Sequence, residues 1–109
     1  TCLRDYVHVL DLADAHVRAV ERLLSGGASL AANLGTGDGV TVRELIAAIE
    51  RVTGQRVPIV PAPRRDGDSP ALLADNSLAL RELGWAPSRG IDQIIADAWK
   101  WHSVVEAQA

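Results

Sequence analysis

Apolar residues recur at helical spacing in four stretches of the chain. Val42, Leu45, Ile46, Ile49 and Val52 lie three and four positions apart, so they share one face of a helix. Thr41 and Glu44 form a capping box ahead of that face, each side chain able to bond the other's free backbone N–H, and Gly54 supplies the stop. Asp11 is expected to cap an earlier helix, with Asp14 near its positive end. Leu12, Ala15, Ala19 and Leu23 form its apolar face and Gly26–Gly27 end it. Asn76 opens a short helix carrying Leu80 and Leu83, closed by Gly84. Ile91, Ile94, Ile95, Ala98 and His102 then line one face of a closing helix, with Trp99 and Trp101 beside it.

Between the helices the pattern changes to short, β-prone runs. RDYVHV at 4–9 has the β-branched and aromatic content of a strand, and residues 30–34 predict a second one before the loop GTGDG at 35–39. VPIVP at 57–61 reads as an edge strand, because Pro58 and Pro61 cannot donate ladder hydrogen bonds. ALLAD at 71–75 reads as a short strand or extended segment. The order β-α-β-α-β-β-α-α, without internal repeats, predicts an α/β domain, α+β when taken in isolation, and excludes a helical bundle. The strands are few and short, so the sheet reads as incomplete without a part N-terminal to it.

With 109 residues, there is room for one domain and one core. A net charge of -3 disfavours a basic face for nucleic acid, although one or two arginines can still hold a small anion. The single Cys2 excludes an intrachain disulfide and offers no metal spacing, which fits a reducing compartment. No apolar run reaches the roughly 18–20 residues needed to span a bilayer. The chain contains no Met and opens on Thr1, immediately before its first motif, so it is expected to be a piece of something longer.

The chemistry-bearing residues are mostly arginines and aspartates. Gly35, Gly37 and Gly39 invite a phosphate-loop reading, but the spacing lacks the dinucleotide fingerprint's third glycine, and a tight turn is the better default. His8, His16 and His102 are scattered, with no second ligand at metal spacing. PRRDGD at 63–68 is different: Arg64 and Arg65 stand beside Asp66 and Asp68, in a loop flanked by Pro63 and broken by Gly67. A guanidinium is a planar fork that pairs two phosphate oxygens, and a carboxylate accepts hydrogen bonds from the vicinal hydroxyls of a ribose. The stretch therefore reads either as a solvated charged turn or as a grip on a nucleotide diphosphate, with Arg4 as a further fork.

Five motifs in series decide between family contexts. RDYVHVLDLADAH at 4–16, NLGTG at 33–37, PRRDGD at 63–68, LADNSLALRELGW at 73–85 and WKW at 99–101 occur in the order seen in UDP-glucose 4-epimerases. The chain resembles the C-terminal portion of those extended short-chain dehydrogenase/reductases along essentially its whole length. The resemblance implies that Arg4 and Arg65 approach the UDP pyrophosphate, that Asp68 binds the uridine ribose, and that NLGTG is a fold-defining turn. Several family members carry Tyr or Cys beside the sugar at the position occupied here by Leu72, so the resemblance leaves hexose, N-acetylated hexose and pentose open.

The resemblance also implies what lies elsewhere. NAD would sit on an N-terminal Rossmann domain with the catalytic Tyr-x-x-x-Lys; neither that pattern nor the coenzyme glycine motif occurs here, so no catalytic, coenzyme-binding or metal-binding residue is assigned. Residues 1–27 would be the strand and helix that join the Rossmann part, and 28–109 the substrate-binding subdomain. The expected partners are a UDP-sugar, the Rossmann domain of the same enzyme and a second subunit in a cytoplasmic homodimer, with no nucleic acid and no membrane. The alternatives are a stand-alone UDP-binding or self-associating module without activity, or the same region of a UDP-pentose 4-epimerase or another nucleotide-sugar epimerase or dehydratase.

Overall fold

The computed structural model describes residues 1–108. Four helices surround a small sheet: α1 Val9–Leu24, α2 Val42–Thr53, α3 Ser77–Leu83 and α4 Ile91–Gln108. The strands are β1 Leu3–Arg4, β2 Val40–Thr41 and β3 Ala71–Leu72, arranged in the order β2-β1-β3. β1 pairs antiparallel with β2 (Leu3 opposite Thr41, Arg4 opposite Val40) and parallel with β3 (Leu3 opposite Ala71, Arg4 opposite Leu72). The expected α/β character with four helices and short strands is what the structure has.

The helix ends follow local chemistry. At α2, Thr41 Oγ1 accepts from Glu44 N–H at 3.1 Å while Glu44 Oε1 accepts from Thr41 N–H at 3.3 Å, completing the capping box. Gly54 ends the helix in the left-handed region at φ 69°, which a residue with a Cβ adopts only at a cost. At α1 the expected cap was Asp11, but His8 takes that place: its Nδ1 accepts from Leu10 N–H at 3.0 Å. With Nδ1 accepting, Nε2 carries the ring proton and donates to Asp97 at 2.7 Å, joining the start of α1 to α4. Asn76 occupies the cap position of α3 without capping it. Its amide donates instead to Gly35 O at 2.7 Å, and Asp75 Oδ1 accepts from Ser77 N–H.

Three predicted strands shorten or vanish. The run 4–9 contributes only Arg4 to the sheet, because the helix starting at Val9 ends it almost at once. Residues 30–34 and 57–61 are extended but unpaired. In the latter run Pro58 and Pro61 have no N–H, and the N–H of Val57 goes to Glu50 Oε2 at 2.9 Å, so the chain follows α2 rather than a strand.

The core is small. Trp85 is fully buried, with Ala15 of α1 and Ala79 of α3, and Val7, Ala32, Leu34 and Leu83 close around it. Its indole N–H donates to Asp11 O at 2.7 Å, so the largest buried side chain also satisfies its polar atom. The Asp11 carboxylate is buried too and takes hydrogen bonds from Ser88 and Arg89, including Arg89 Nη1 at 2.6 Å. Ala48 and Ile95 are buried where α2 lies on α4, and Arg51 bridges to Asp92 across that contact. The expected apolar face of α4 holds at Ile91, Ile94 and Ile95. Ala98 and His102 are exposed, as are Trp99 and Trp101.

Candidate functional site

β1 carries the first two functional groups on adjacent residues. Arg4 lies between Val40 and Leu72 in register, and Asp5 follows it as the strand ends. The Asp5 carboxylate accepts from Thr36 N–H at 2.8 Å, Thr36 Oγ1 at 2.7 Å, Gly37 N–H at 2.9 Å and Ala74 N–H at 3.2 Å. Burial pushes this carboxyl up, but the four donors outweigh it and hold it below the ordinary aspartate value. One side chain thus pins the NLGTG loop and the end of β3 to the strand bearing Arg4. The glycine loop is closed by these bonds: the N–H groups that would cradle a coenzyme phosphate point at Asp5, and a Cβ on Gly35 would collide with Ala74. The loop is a structural turn, and its residues do not fit a dinucleotide phosphate.

PRRDGD turns back on itself. Asp68 N–H donates to Arg65 O at 3.3 Å, and Gly67 at φ 81° occupies the third position of that turn, the place where a positive φ favours glycine. The turn brings the Asp68 side chain over Arg65, whose Nε and Nη2 both reach Oδ2, at 3.2 and 3.1 Å. From the sheet, Arg4 Nη2 comes within 3.7 Å of the other carboxylate oxygen, while its Nη1 donates to Leu3 O. Three of the four expected site residues are therefore together. Leu72, directly opposite Arg4 in the parallel register, is 61% exposed and lies outside the lining of the adjacent cleft. Arg64 turns away from Asp68, donating to Cys2 Sγ at 3.3 Å, and Asp66 is exposed.

Beside this cluster lies a cleft of about 560 Å³ between the chain start, the first turn of α2 and the loop 59–68. Its walls are apolar: Val42 and Ile46 from α2 face Ile59, Pro61 and Pro63. Arg43, Arg64 and Arg65 rim it with Asp68, leaving a positive balance at the mouth in a chain that is acidic overall. Sequence reasoning did not find the apolar wall or Arg43. The capping box fixes where α2 begins, and so where Val42 and Arg43 point, but only the 59–63 segment lying across from them makes a cleft. Such a shape can take a flat, weakly polar ring against its walls and phosphates at its rim. Among the described residues no helix is long and apolar enough to cross a membrane.

Known proteins resemble this chain in sequence and in fold. Residues 1–98 match the family model described as GDP-mannose 4,6 dehydratase. A UDP-glucose 4-epimerase of Rhizobium leguminosarum bv. trifolii is 57% identical over 103 residues, covering 94% of this chain and 32% of that protein. The fold superposes on the crystal structure of a UDP-glucose-4-epimerase from Stenotrophomonas maltophila, with bound NAD and formylated UDP-arabinopyranose. There the TM-score is 0.95 at 49% identity, over 100% of this chain and 32% of that one. A Bifidobacterium longum UDP-glucose 4-epimerase, in complex with NAD+ and UDP, superposes with a TM-score of 0.84 at 39% identity, covering 94% of this chain and 30% of its own. The chain spans about a third of the length of the relatives it matches. It belongs to the family described by the GDP-mannose 4,6 dehydratase model, and within that family its similarity runs to UDP-glucose 4-epimerases.

Proposed function

We propose that this chain is the UDP-sugar-binding, C-terminal part of an NAD-dependent UDP-glucose/UDP-galactose 4-epimerase. The observation that carries the reading is the Arg65–Asp68 pair at the rim of an apolar-walled cleft, with Arg4 reaching Asp68 from the sheet behind it. Arg4 and Arg65 supply two guanidinium forks for the doubly charged diphosphate, and Asp68 accepts from the uridine ribose. The apolar walls suit the uracil ring. Leu72, next to Arg4 across β1–β3, stands at the sugar end, where it offers shape but no hydrogen bond. NAD and UDP in the related epimerase structures support both ligands for the whole enzyme.

The division of labour follows from which residues are present. Residues 1–27 join the dehydrogenase part and 28–109 form the substrate-binding subdomain. In this reading NAD and the Tyr-x-x-x-Lys pair belong to an N-terminal part of the enzyme, which accords with an NLGTG loop whose N–H groups are taken by Asp5. When bound there, the coenzyme supplies a reversible hydride acceptor for the sugar's C4. These residues would hold the nucleotide end fixed while the sugar end turns, so that C4 meets the same coenzyme position from either face.

The test is titration calorimetry of UDP into the full-length protein carrying this chain. Replacing Arg65 with alanine should weaken UDP binding by roughly 1.5–3 kcal/mol, the worth of a charged hydrogen-bonding group. An affinity equal to that of the unaltered protein would remove Arg65 from the site.

A further inference from the structure

Resting on that reading, the geometry around Asp68 points to a second role for this residue. We infer that Asp68 is an internal counter-ion that holds Arg65 until a ribose diol displaces it, so that the cleft favours nucleoside diphosphates over phosphates lacking a ribose.

Both donors on one edge of the Arg65 guanidinium are directed at a single oxygen, Asp68 Oδ2. The other oxygen faces Arg4 Nη2 at 3.7 Å. One carboxylate therefore faces both of the forks assigned to the diphosphate, in the position a phosphate oxygen would take. The pairing is built into the turn: Gly67 at φ 81° and the Asp68 N–H to Arg65 O bond return the chain so that positions three apart meet. Arg65 has no other hydrogen-bonding partner among the described residues, and 83% of its side chain is exposed, against 26% for Asp68. Once Asp68 swings away, Arg65 is free to follow a ligand.

An inorganic diphosphate entering the rim must compete with a carboxylate tethered three residues away. A nucleoside diphosphate brings its own replacement for each half of the pair: the ribose hydroxyls donate to Asp68, and the phosphate oxygens accept from Arg65. The two contacts then form together, and recognition of the ribose is coupled to recognition of the diphosphate. An exposed ion pair of this kind is a modest opponent, worth at most about a fivefold change in an equilibrium constant. That is enough to set a preference without blocking the site.

The experiment compares Asp68→Asn with Asp66→Asn in the full-length protein, titrating inorganic pyrophosphate and UDP in parallel by calorimetry. Asp66 has the same charge in the same loop and makes no ion pair among the described residues, so its variant reports the general electrostatic gain alone. The expected result is a two- to fivefold greater gain in pyrophosphate affinity for Asp68→Asn than for Asp66→Asn. The preference for UDP over pyrophosphate should shrink in Asp68→Asn only. Equal gains in the two variants, with UDP binding intact in the unaltered protein, would overturn the counter-ion role and leave the cleft assignment standing. An unaltered protein that binds no UDP would overturn both.

Discussion

Two aspartates hold the chain's segments together, one of them Asp11, whose expected role was only a helix cap. Asp5 gathers four donors from two distant segments, and buried Asp11 takes four from Ser88 and Arg89. In both, burial raises the carboxyl's pKa and the hydrogen bonds lower it further, so the folded value lies below the ordinary one. A group depressed in the folded state adds stability above its unfolded pKa and loses it as pH falls through the folded pKa. The melting temperature should therefore hold steady from neutrality to about pH 4 and fall below that, where unfolded aspartates near 3.9 take up protons. Asp11→Ala should cost about 2–3 kcal/mol at pH 7, the desolvation left when buried amides and part of a guanidinium lose their acceptor, and should flatten the acid limb. Thermal melts from pH 3 to 7 check both; an acid limb unchanged in the variant would clear Asp11 of that role. Neither bracing role was legible beforehand, and Asp11 read as a helix cap, because the donors come from residues 31 to 78 positions away. Arg65 and Asp68 were legible as site residues through their motif; their ion pair was not foreseen, although a glycine turn closes it locally.

Among the elements, those with a complete local rule were readable and those needing a distant partner were not. α2 carries its start, its face and its stop within fourteen residues; both ends are in place, and of the expected face Leu45, Ile46, Ile49 and Val52 are half-buried while Val42 is exposed. The runs 30–34 and 57–61 have strand-like composition, but a strand exists only where another backbone completes its ladder. Nothing in either run says whether one does. His8 shows the same limit: a histidine is an uncommon cap, and its choice over Asp11 depends on Asp97 holding the ring from α4. Because the α2 cap is local, its contribution can be isolated. Thr41→Ala removes the acceptor for Glu44 N–H and should cost about 1 kcal/mol in urea unfolding, with the slope unchanged. Thr41 also precedes the cleft residues Val42 and Arg43, so the same variant should show a loss of UDP affinity exceeding that of Glu44→Gln, which keeps both bonds of the box. Equal UDP affinities in the two variants would separate the cap from the cleft.

For the molecule as a whole, shape and surface say that these residues do not cover themselves. The radius of gyration is 16.9 Å, where a compact domain of this length has about 13 Å. The accessible surface is 7793 Å², against roughly 5,800 Å² for a monomeric protein of 11.6 kDa. Much of the excess is apolar. Val9, Val17, Val20 and Leu24 lie exposed along α1, and Trp101, Val104 and Val105 along α4. A monomer rarely presents so much apolar surface without a partner to bury it. The 109 residues expressed alone should therefore self-associate at micromolar concentration and bind a hydrophobic dye, and Val17→Glu with Val20→Lys should reduce both. Light scattering behind a sizing column gives the mass directly. A monodisperse 11.6 kDa species that ignores the dye would mean that α1 and α4 close over their own apolar faces in solution. Association that survives both α1 substitutions would move the contact to another exposed apolar surface, with the α4 tryptophans the first to test.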